Sequence, residues 1–385
     1  MKDIYFDNSA TTKVDKAVAD LVYDAMVNEY GNPSSYHAKG LKAEKLLTEA
    51  RRDIAKTLGV EDNTIIFTSG GTESDNMSIL GIANAYKKQG NHIITTAIEH
   101  PAVLETVKVL GENGFEITKL SVDKDGKIDL AELETAIKPE TILVSVMAVN
   151  NEIGTIEPLA NVGKLLKTQD HRIFFHVDAV QAYGKMPINV KACNIDLLSV
   201  SGHKIHAPKG IGFLYIAKGV RIVPIVYGGG QETNLRSGTE NVPGIVGLAK
   251  AAKASSEECE ERLKKVTQVR QTFLKELENK LENWRQNSPA DALPYVLNIS
   301  FLGVKSEVLL HGFETKGLYV SSGSACAAKK DALSHVLTAL GLSRTEIEGS
   351  IRFSFSYDNT VEEAIEAAKI VADEVNDLRK ILQKK

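Results

Sequence analysis

Residues 173–177 read Ile173-Phe174-Phe175-His176-Val177, and this nearly continuous apolar run decides the fold class. A strand with one face in water alternates apolar and polar residues, whereas a parallel strand covered by helices on both faces does not. Residues 142–146 have the same character. Both runs are therefore predicted to be central strands of a doubly wound, mostly parallel α/β sheet, which binds its ligands at the carboxyl ends of the strands.

Short β-branched runs and amphipathic stretches continue to alternate on both sides of these strands, from about Leu41 to Gly219. Helices are predicted over 73–88 and from Pro101, because proline favours the first helical position. The predicted strands cover 65–68, 93–96, 142–146, 173–177, 197–200 and 211–215.

The pattern changes after Gly228-Gly229-Gly230. The predicted elements beyond it are one long charged helical region over about 244–285, a strand over 295–301, a helix near Glu307, a strand over 350–356 and a final helix over about 361–382. This α+β tail indicates a smaller second domain. The predicted division assigns residues 13–256 to a large domain, and residues 1–12 and 257–385 to a small one.

Composition narrows the class of protein. The chain has 385 residues, 43% of them hydrophobic and 25% charged, with a formal net charge of −4, so no nucleic-acid partner is expected. No apolar run reaches the roughly 18 residues of a membrane span, and the N-terminus lacks the apolar core of a signal peptide, so a cytoplasmic location is expected. Three scattered cysteines argue against a disulfide framework and a zinc knuckle.

The strongest indication of chemistry is the segment Ser201-Gly202-His203-Lys204, which follows a predicted strand. Lysine forms Schiff bases with carbonyl compounds, and pyridoxal 5'-phosphate is the aldehyde that proteins most often hold in this way. Asp178 directly follows the run at 173–177, where a carboxylate can keep the cofactor's ring nitrogen protonated. Taken alone, a strand-end aspartate is explained equally well by helix capping.

Further candidates follow other predicted strands. Gly71 and Thr72 lie in a glycine-rich turn that opens a helix and can bind a phosphate, although an ordinary strand-to-helix turn is the alternative. His100 can stack on the ring and move protons, and Asn151 can hydrogen-bond its phenolic oxygen. A structural histidine and an Asn-Asn turn are the alternatives for these two. Because all these positions meet at one edge of the predicted sheet, a pyridoxal phosphate enzyme is the better interpretation.

Two residues of the predicted small domain indicate the reaction. Cys326 lies among small residues, which predicts an exposed and reactive thiol. Cys193 lies in an apolar stretch, and Cys259 lies among glutamates that would raise its pKa, so neither is a comparable nucleophile. Arg352 alternates with apolar neighbours on a predicted strand and can bind an α-carboxylate bidentately, although a structural ion pair is the alternative.

In its order of motifs the chain resembles the cysteine desulfurases, which are fold-type I (class V aminotransferase-like) pyridoxal phosphate enzymes. The similarity runs nearly from end to end. The segments that carry it are Tyr5-Phe6-Asp7-Asn8-Ser9-Ala10-Thr11-Thr12, Gly31-Asn32-Pro33-Ser34-Ser35, Gly71-Thr72-Glu73-Ser74-Asp75-Asn76, Glu99-His100-Pro101, Asn150-Asn151-Glu152-Ile153-Gly154, Asp178 to Gln181, Ser201 to Lys204, Arg236-Ser237-Gly238-Thr239, Ser322-Gly323-Ser324-Ala325-Cys326 and Arg352-Phe353-Ser354.

The resemblance implies a role for each matching residue. Lys204, His100 and Cys326 would be catalytic, and Arg352, helped by Asn151, would hold the substrate carboxylate. The implied cofactor-binding residues are Lys204, Gly71, Thr72, His100, Asn151, Asp178, Gln181, Ser201, His203 and Thr239. In relatives, a threonine matching Thr239 reaches the phosphate across a subunit boundary, which implies a homodimer. No metal site is expected.

The implied reaction removes sulfur from L-cysteine. Lys204 or His100 would take the Cα proton, and Cys326 would accept the sulfur as a persulfide while L-alanine leaves. The sulfur would then pass to an acceptor protein, either an iron–sulfur scaffold or an enzyme of thio-cofactor synthesis or tRNA thiolation. An aminotransferase or a selenocysteine lyase on the same scaffold is the alternative, and so is a silent scaffold protein. Residues 327–333 depart from the Ser/Thr and Leu-Glu-Pro pattern of relatives, which bears on partner contacts.

Overall fold

The computed structural model describes residues 3–322 and 333–383 of the chain. Its strands are β1 Ile4–Tyr5, β2 Ile65–Thr68, β3 His92–Thr96, β4 Glu116–Leu120, β5 Thr141–Ser145, β6 Phe174–Asp178, β7 Leu197–Ser201, β8 Gly212–Ile216, β9 Trp284–Gln286, β10 Val296–Phe301, β11 Leu318–Tyr319 and β12 Ser350–Ser354. Its helices are α1 Lys16–Val27, α2 Ala38–Leu58, α3 Gly71–Tyr86, α4 Pro101–Glu112, α5 Leu130–Ala136, α6 Leu159–Lys167, α7 Val242–Glu257, α8 Cys259–Glu278, α9 Ser306–Thr315, α10 His335–Ala339, α11 Arg344–Glu348 and α12 Val361–Gln383.

A seven-stranded sheet forms the centre of the fold, with strand order β2-β8-β7-β6-β5-β3-β4. Neighbouring strands from β7 through β4 are parallel, while β8 runs antiparallel to both β7 and β2. The predicted doubly wound, mostly parallel α/β sheet is therefore confirmed.

Helices cover both faces of this sheet, which explains the continuous apolar runs. Every residue of β5 and β6 is buried. Leu143 and Phe174 pack on the side of α3 and α4, whereas the next residues, Val144 and Phe175, pack on the opposite side with α6 and α7. Successive side chains of a strand point to opposite faces, so a strand between two helical layers needs apolar residues at every position.

The C-terminal part of the chain builds a smaller, three-stranded antiparallel sheet of order β12-β10-β9. The N-terminal strand β1 pairs in parallel with β11 of this part. Phe273 of α8 packs against Phe353 and Phe355 and joins the helical layer to this sheet. The predicted domain division at 13–256, and 1–12 with 257–385, stays a prediction.

The prediction of one helical region over 244–285 is wrong in its continuity. Glu258, with φ −103° and ψ 8°, separates α7 from α8, and Arg285 lies in the strand β9. The two helices pack against different partners, α7 against α1 and α2 and α8 against α12, so the chain changes direction between them. Nowhere in residues 3–322 and 333–383 does a helix combine the length and hydrophobicity that a membrane crossing requires.

Candidate active site

A cavity of about 240 Å³ opens at the carboxyl ends of β6 and β7, which end at Asp178 and Ser201. Its lining comprises Ser9, Ala10, Gly71, Thr72, Asp75, His100, Met147, Val149, Asn151, Asp178, Val180, Gln181, Ser201, His203, Lys204 and Arg352. A more open cavity of about 580 Å³ shares Gly71, Thr72, Ser201 and His203 with it. Parallel strands bring their carboxyl ends to one edge, so segments far apart in sequence meet there.

Lys204 ends a short 3₁₀ turn that directly follows β7. Its Nζ donates hydrogen bonds to the carbonyl oxygens of Ser9, at 2.6 Å, and of Ala10, at 2.8 Å. These two hydrogen bonds hold the segment after β1 at the cavity, although Ser9 precedes Lys204 by almost two hundred residues in the sequence. The amine is thus held at a fixed place on the cavity wall.

Asp178 is buried, and one of its carboxyl oxygens, Oδ1, accepts a hydrogen bond from the backbone N–H of Val180 at 2.9 Å. Burial, together with the nearby carboxyl of Asp75, raises the pKa of Asp178 to about 7. Asp75, which also lines the cavity, lies 3.4 Å from Nε2 of His176, and the same ring nitrogen is hydrogen-bonded to Ser199. A carboxyl in such surroundings favours a cationic partner in the cavity, because that partner would stabilise its ionised form.

His100 is the N-cap of α4, and its Nδ1 accepts the backbone N–H of Ala102 at 3.1 Å. A neutral imidazole that accepts at Nδ1 carries its proton on Nε2. Burial, and then the charges of Lys204 and His335, lower the pKa of His100 to about 4, so the ring is neutral near pH 7. His100 is therefore a hydrogen-bond donor at Nε2.

The glycine-rich turn brings the start of α3 to the cavity. Gly70 has φ 150°, and a Cβ on Gly71 would lie 2.6 Å from a methyl carbon of Val180, so only glycine allows this close approach. The first N–H groups of a helix lack intrahelical partners and favour an anion. The Nδ1 of His203 lies 3.2 Å from the hydroxyl of Thr11 at the same end of the site.

Arg352 lies on β12 and is nearly fully buried. Its Nη2 donates to the Asp7 carboxylate at 3.0 Å and its Nη1 to the carbonyl oxygen of Asn151 at 3.1 Å. The Nε has no hydrogen-bond partner among the described residues. Two contacts thus orient the guanidinium on the cavity wall and leave further N–H groups for a ligand.

The structure brings ten of the predicted site residues together on the cavity wall: Gly71, Thr72, His100, Asn151, Asp178, Gln181, Ser201, His203, Lys204 and Arg352. Their roles stay predictions. Thr239 is exposed and is not part of this lining. Cys326 lies outside the described residues.

The residues on either side of 323–332 make hydrogen bonds near the site. Ser321 pairs through its backbone with Arg352, at 2.6 and 3.2 Å. Ser334 donates its hydroxyl to the buried Glu152 carboxyl at 2.6 Å, and the Nε2 of His335 lies 2.9 Å from the carbonyl oxygen of Glu99. The first flank is therefore held beside Arg352 of the cavity lining, and the second beside the sequence neighbours of the lining residues Asn151 and His100.

Three residues in or beside the site were not predicted: Asp75 in the lining, Asp7 next to Arg352 and Lys185 next to Gln181. Asp7 and Asp75 lie in the segments that carry the resemblance, which is the signal that points to them. Lys185 had no such signal. The other two cysteines are free, and burial raises the pKa of both thiols, with Glu260 adding to the effect at Cys259.

Comparisons with known proteins show which family the whole chain resembles. A family profile described as aminotransferase class-V matches residues 4–366. The cysteine desulfurase IscS of Methanosarcina thermophila is 46% identical over 378 residues, which cover 98% of this chain and 93% of that protein. Among solved structures, a NifS-like protein superimposes with a TM-score of 0.92 at 40% identity, covering 97% of this chain and 100% of its own. A structure described as SspA in complex with cysteine has a TM-score of 0.82 at 37% identity, with 92% and 99% covered.

Proposed function

We propose, because the chain belongs to the aminotransferase class-V family, that it is a cysteine desulfurase, an enzyme that converts L-cysteine to L-alanine and passes the sulfur to its own Cys326. The observation that carries the proposal is the convergence of Lys204, Asp178 and Arg352 on one cavity. These residues supply an amine, a buried carboxyl and a carboxylate-binding guanidinium, which are the groups that the chemistry of an amino acid on an aldehyde cofactor requires.

The residues present fit pyridoxal 5'-phosphate. Asp178 would hold the ring nitrogen, and its raised pKa means that a cationic N–H beside it restores the carboxylate. The N–H groups at the start of α3, with Thr72, Ser201 and His203, would hold the phosphate. When bound, the cofactor would supply an aldehyde for an amine and a ring that withdraws electrons from the substrate Cα.

Lys204 and His100 are the proposed proton-transfer residues, with Lys204 as the base and His100 as a proton donor. His100 cannot take a proton at Nδ1, because that nitrogen accepts the Ala102 N–H, and its Nε2 already carries a proton. The structure therefore favours Lys204 Nζ as the base that takes the Cα proton, with His100 Nε2 as a donor. This narrows the sequence-based hypothesis, which left both residues open as the base.

Arg352 is the proposed anchor of the substrate carboxylate. Asp7 and the Asn151 carbonyl hold its Nη2 and Nη1, so the guanidinium does not have to be ordered when the substrate binds. An Arg–carboxylate pair of this kind orients the bound amino acid as well as holding it.

The thiol of Cys326 is the proposed sulfur acceptor. Cys326 lies five residues after Ser321 in the sequence, and Ser321 pairs with Arg352 at the cavity. An extended chain spans about 3.4 Å per residue, so this length permits approach to a ligand held there. The Cys326 thiolate attacks the substrate sulfur, an S–S bond forms and the C–S bond breaks. The electron pair of that bond stays with Cβ, which takes up a proton to give alanine, while Cys326 keeps the persulfide.

The protein's assembly and partners complete the proposal. We infer a cytoplasmic homodimer in which the exposed Thr239 of one subunit serves the phosphate site of the other. An acceptor protein, either an iron–sulfur scaffold or a thiolation enzyme, would take the persulfide sulfur. The separation of Thr239 from the cavity of its own chain supports such sharing.

Absorbance spectra of the purified protein with pyridoxal phosphate, before and after addition of L-cysteine, test this function when alanine and sulfide are measured alongside. Replacing Cys326 by Ala should leave the absorbance of the lysine-bound cofactor intact and abolish sulfide release. Replacing Lys204 by Ala should remove the linkage that borohydride reduces. The matched control is Cys259→Ala, which removes a thiol away from the cavity and should behave as wild type.

Full turnover by the Cys326→Ala variant would remove that thiol from the mechanism. Amino transfer to a keto acid that persists in the same variant would favour an aminotransferase. A markedly faster reaction with selenocysteine than with cysteine would favour a selenocysteine lyase. A protein that takes up no pyridoxal phosphate would contradict the cofactor and the function together.

A further inference from the structure

Lys185 is a buried lysine next to the cavity that the proposed mechanism does not use. It is only 6% exposed, and its Nζ lies 3.0 Å from the side-chain Oε1 of Gln181. The ring of Tyr295 lies 5.6 Å from the same nitrogen. Burial, and then the positive charges of Lys204 and Arg352, lower the pKa of Lys185 to about 7. Among the residues that the structure describes, no carboxylate pairs with Lys185, and burying an amine in this way is costly, so its hydrogen bond to Gln181 is the contact to examine.

The contacts of Gln181 fix the orientation of its amide. The Nζ of Lys185 can only donate a hydrogen bond, so the atom of Gln181 that faces it is the acceptor Oε1. On the other side, the carbonyl oxygen of Ser9 can only accept, and it receives the Nε2 of Gln181 at 3.1 Å. The same carbonyl accepts Nζ of Lys204 at 2.6 Å. Lys185, Gln181, Ser9 and Lys204 therefore form one connected chain of hydrogen bonds.

This orientation decides what Gln181 offers to a ligand. With Oε1 occupied by Lys185 and one N–H used by Ser9, the second N–H of Nε2 remains for an acceptor in the cavity that Gln181 lines. Without Lys185, the Oε1 atom would be left buried with no donor, and the amide would lose the contact that keeps it from rotating.

We propose that Lys185 is a positioning residue that acts through Gln181, making this amide a hydrogen-bond donor to the oxygen anion of the bound cofactor ring. The proposal rests on the proposed function, because it needs a ligand with such an oxygen in the cavity. Lys185 itself does not touch the ligand.

The test is a pH titration of the absorbance of the holoenzyme. The absorbance of lysine-bound pyridoxal phosphate changes when the linkage loses its proton, and a donor to the ring's oxygen anion favours the deprotonated form. In Lys185→Met the midpoint should rise by about 1 pH unit, the size of one charge-assisted hydrogen bond. Gln181→Ala should show a similar rise. The control Lys191→Met removes an exposed lysine and should leave the midpoint unchanged.

The double variant separates a contact through Gln181 from a direct effect of the Lys185 charge on Lys204. If Lys185 acts through Gln181, Lys185→Met causes no further rise in the Gln181→Ala background. An unchanged midpoint in Lys185→Met, or a full additional rise in the double variant, would overturn the proposal while leaving the proposed function standing. If Lys185→Met does not fold, the smaller Lys185→Ala, which also lacks a donor, is measured in the same cycle with the same criterion. A wild-type protein that binds no cofactor would overturn both.

Discussion

At the scale of single residues, His100 combines the N-cap of α4 with its proposed role as a proton donor. Its Nδ1 caps α4 by accepting the N–H of Ala102, which leaves Nε2 as the proton-bearing atom of a ring that lines the cavity. The cap thus selects the tautomer. A residue that keeps the cap but has no acidic proton would separate the two contributions.

Replacing His100 by Asn should retain stability and lose activity. Asparagine is among the best N-cap residues, so the free energy of unfolding should stay close to that of wild type, whereas His100→Ala should cost about 1 kcal/mol. Both variants should lose about 10²- to 10⁴-fold in turnover of cysteine, because neither can donate the Nε2 proton. Denaturant unfolding and alanine formation measure the two effects. A His100→Asn enzyme with wild-type turnover would reduce this histidine to a cap.

The candidate site was predictable where local sequence determines position. Asp178 and the segment ending at Lys204 directly follow strands, and a parallel sheet places such residues at one edge. Lys185 and Asp7 were not predictable in this way. Asp7 meets Arg352 across 345 residues of sequence, which no local pattern can show. Lys185 lies only four residues after Gln181, but this spacing alone does not indicate a buried contact beside a cavity.

At the scale of elements, Glu157 links the connection between β5 and α6 to the connection between β4 and α5. It precedes α6, and its Oε2 accepts the backbone N–H of Ile128 at 3.2 Å, while its Oε1 is buried without a partner among the described residues. Burial, with the nearby Asp123, raises the pKa of Glu157 to about 7 from the ordinary value of 4.5.

This raised pKa predicts a dependence of stability on pH. Between about pH 4.5 and 7 the folded protein keeps the Glu157 proton while the unfolded chain has lost it, so stability from this group falls as pH rises through that window. The loss amounts to at most about 3 kcal/mol. Glu157→Gln removes it, so the difference in melting temperature, variant minus wild type, should be larger at pH 8 than at pH 5.

The matched control for this titration is Glu278→Gln, which changes an exposed glutamate at the end of α8. The difference between this control and wild type is subtracted from that of Glu157→Gln at each pH. The raised pKa of Glu157 would be contradicted if the remaining difference were independent of pH.

Elements were predictable to different degrees for physical reasons. The apolar runs of β5 and β6 located those strands within one residue, because burial on both faces leaves a strong local pattern. The antiparallel direction of β8 left no such pattern, because direction is set by the path of the connection and not by composition. The break between α7 and α8 was missed because apolar residues continue at helical spacing on both sides of Glu258.

At the scale of the whole molecule, exposed apolar side chains are concentrated in one early part of the chain. Tyr23 and Met26 on α1, and Tyr30 and Tyr36 in the connection to α2, are 63%, 54%, 69% and 99% exposed. Apolar surface of this kind marks interaction sites, and a two-fold dimer uses the same surface of both subunits. This surface supports the homodimer proposed from Thr239.

Placing charges on this surface should therefore separate the subunits. The double variant Met26→Glu, Tyr30→Glu should change the mass in solution from dimer to monomer, because two glutamates would be buried without partners in the interface. If Thr239 serves the phosphate of the other subunit, the monomer should also bind pyridoxal phosphate more weakly. Light scattering after size exclusion measures the mass, and absorbance titration measures cofactor affinity.

Ile365→Glu, which changes an exposed apolar residue on α12, is the control and should remain dimeric. A variant that stays dimeric would place the interface elsewhere, and a monomer with unchanged cofactor affinity would show that each subunit binds the phosphate alone.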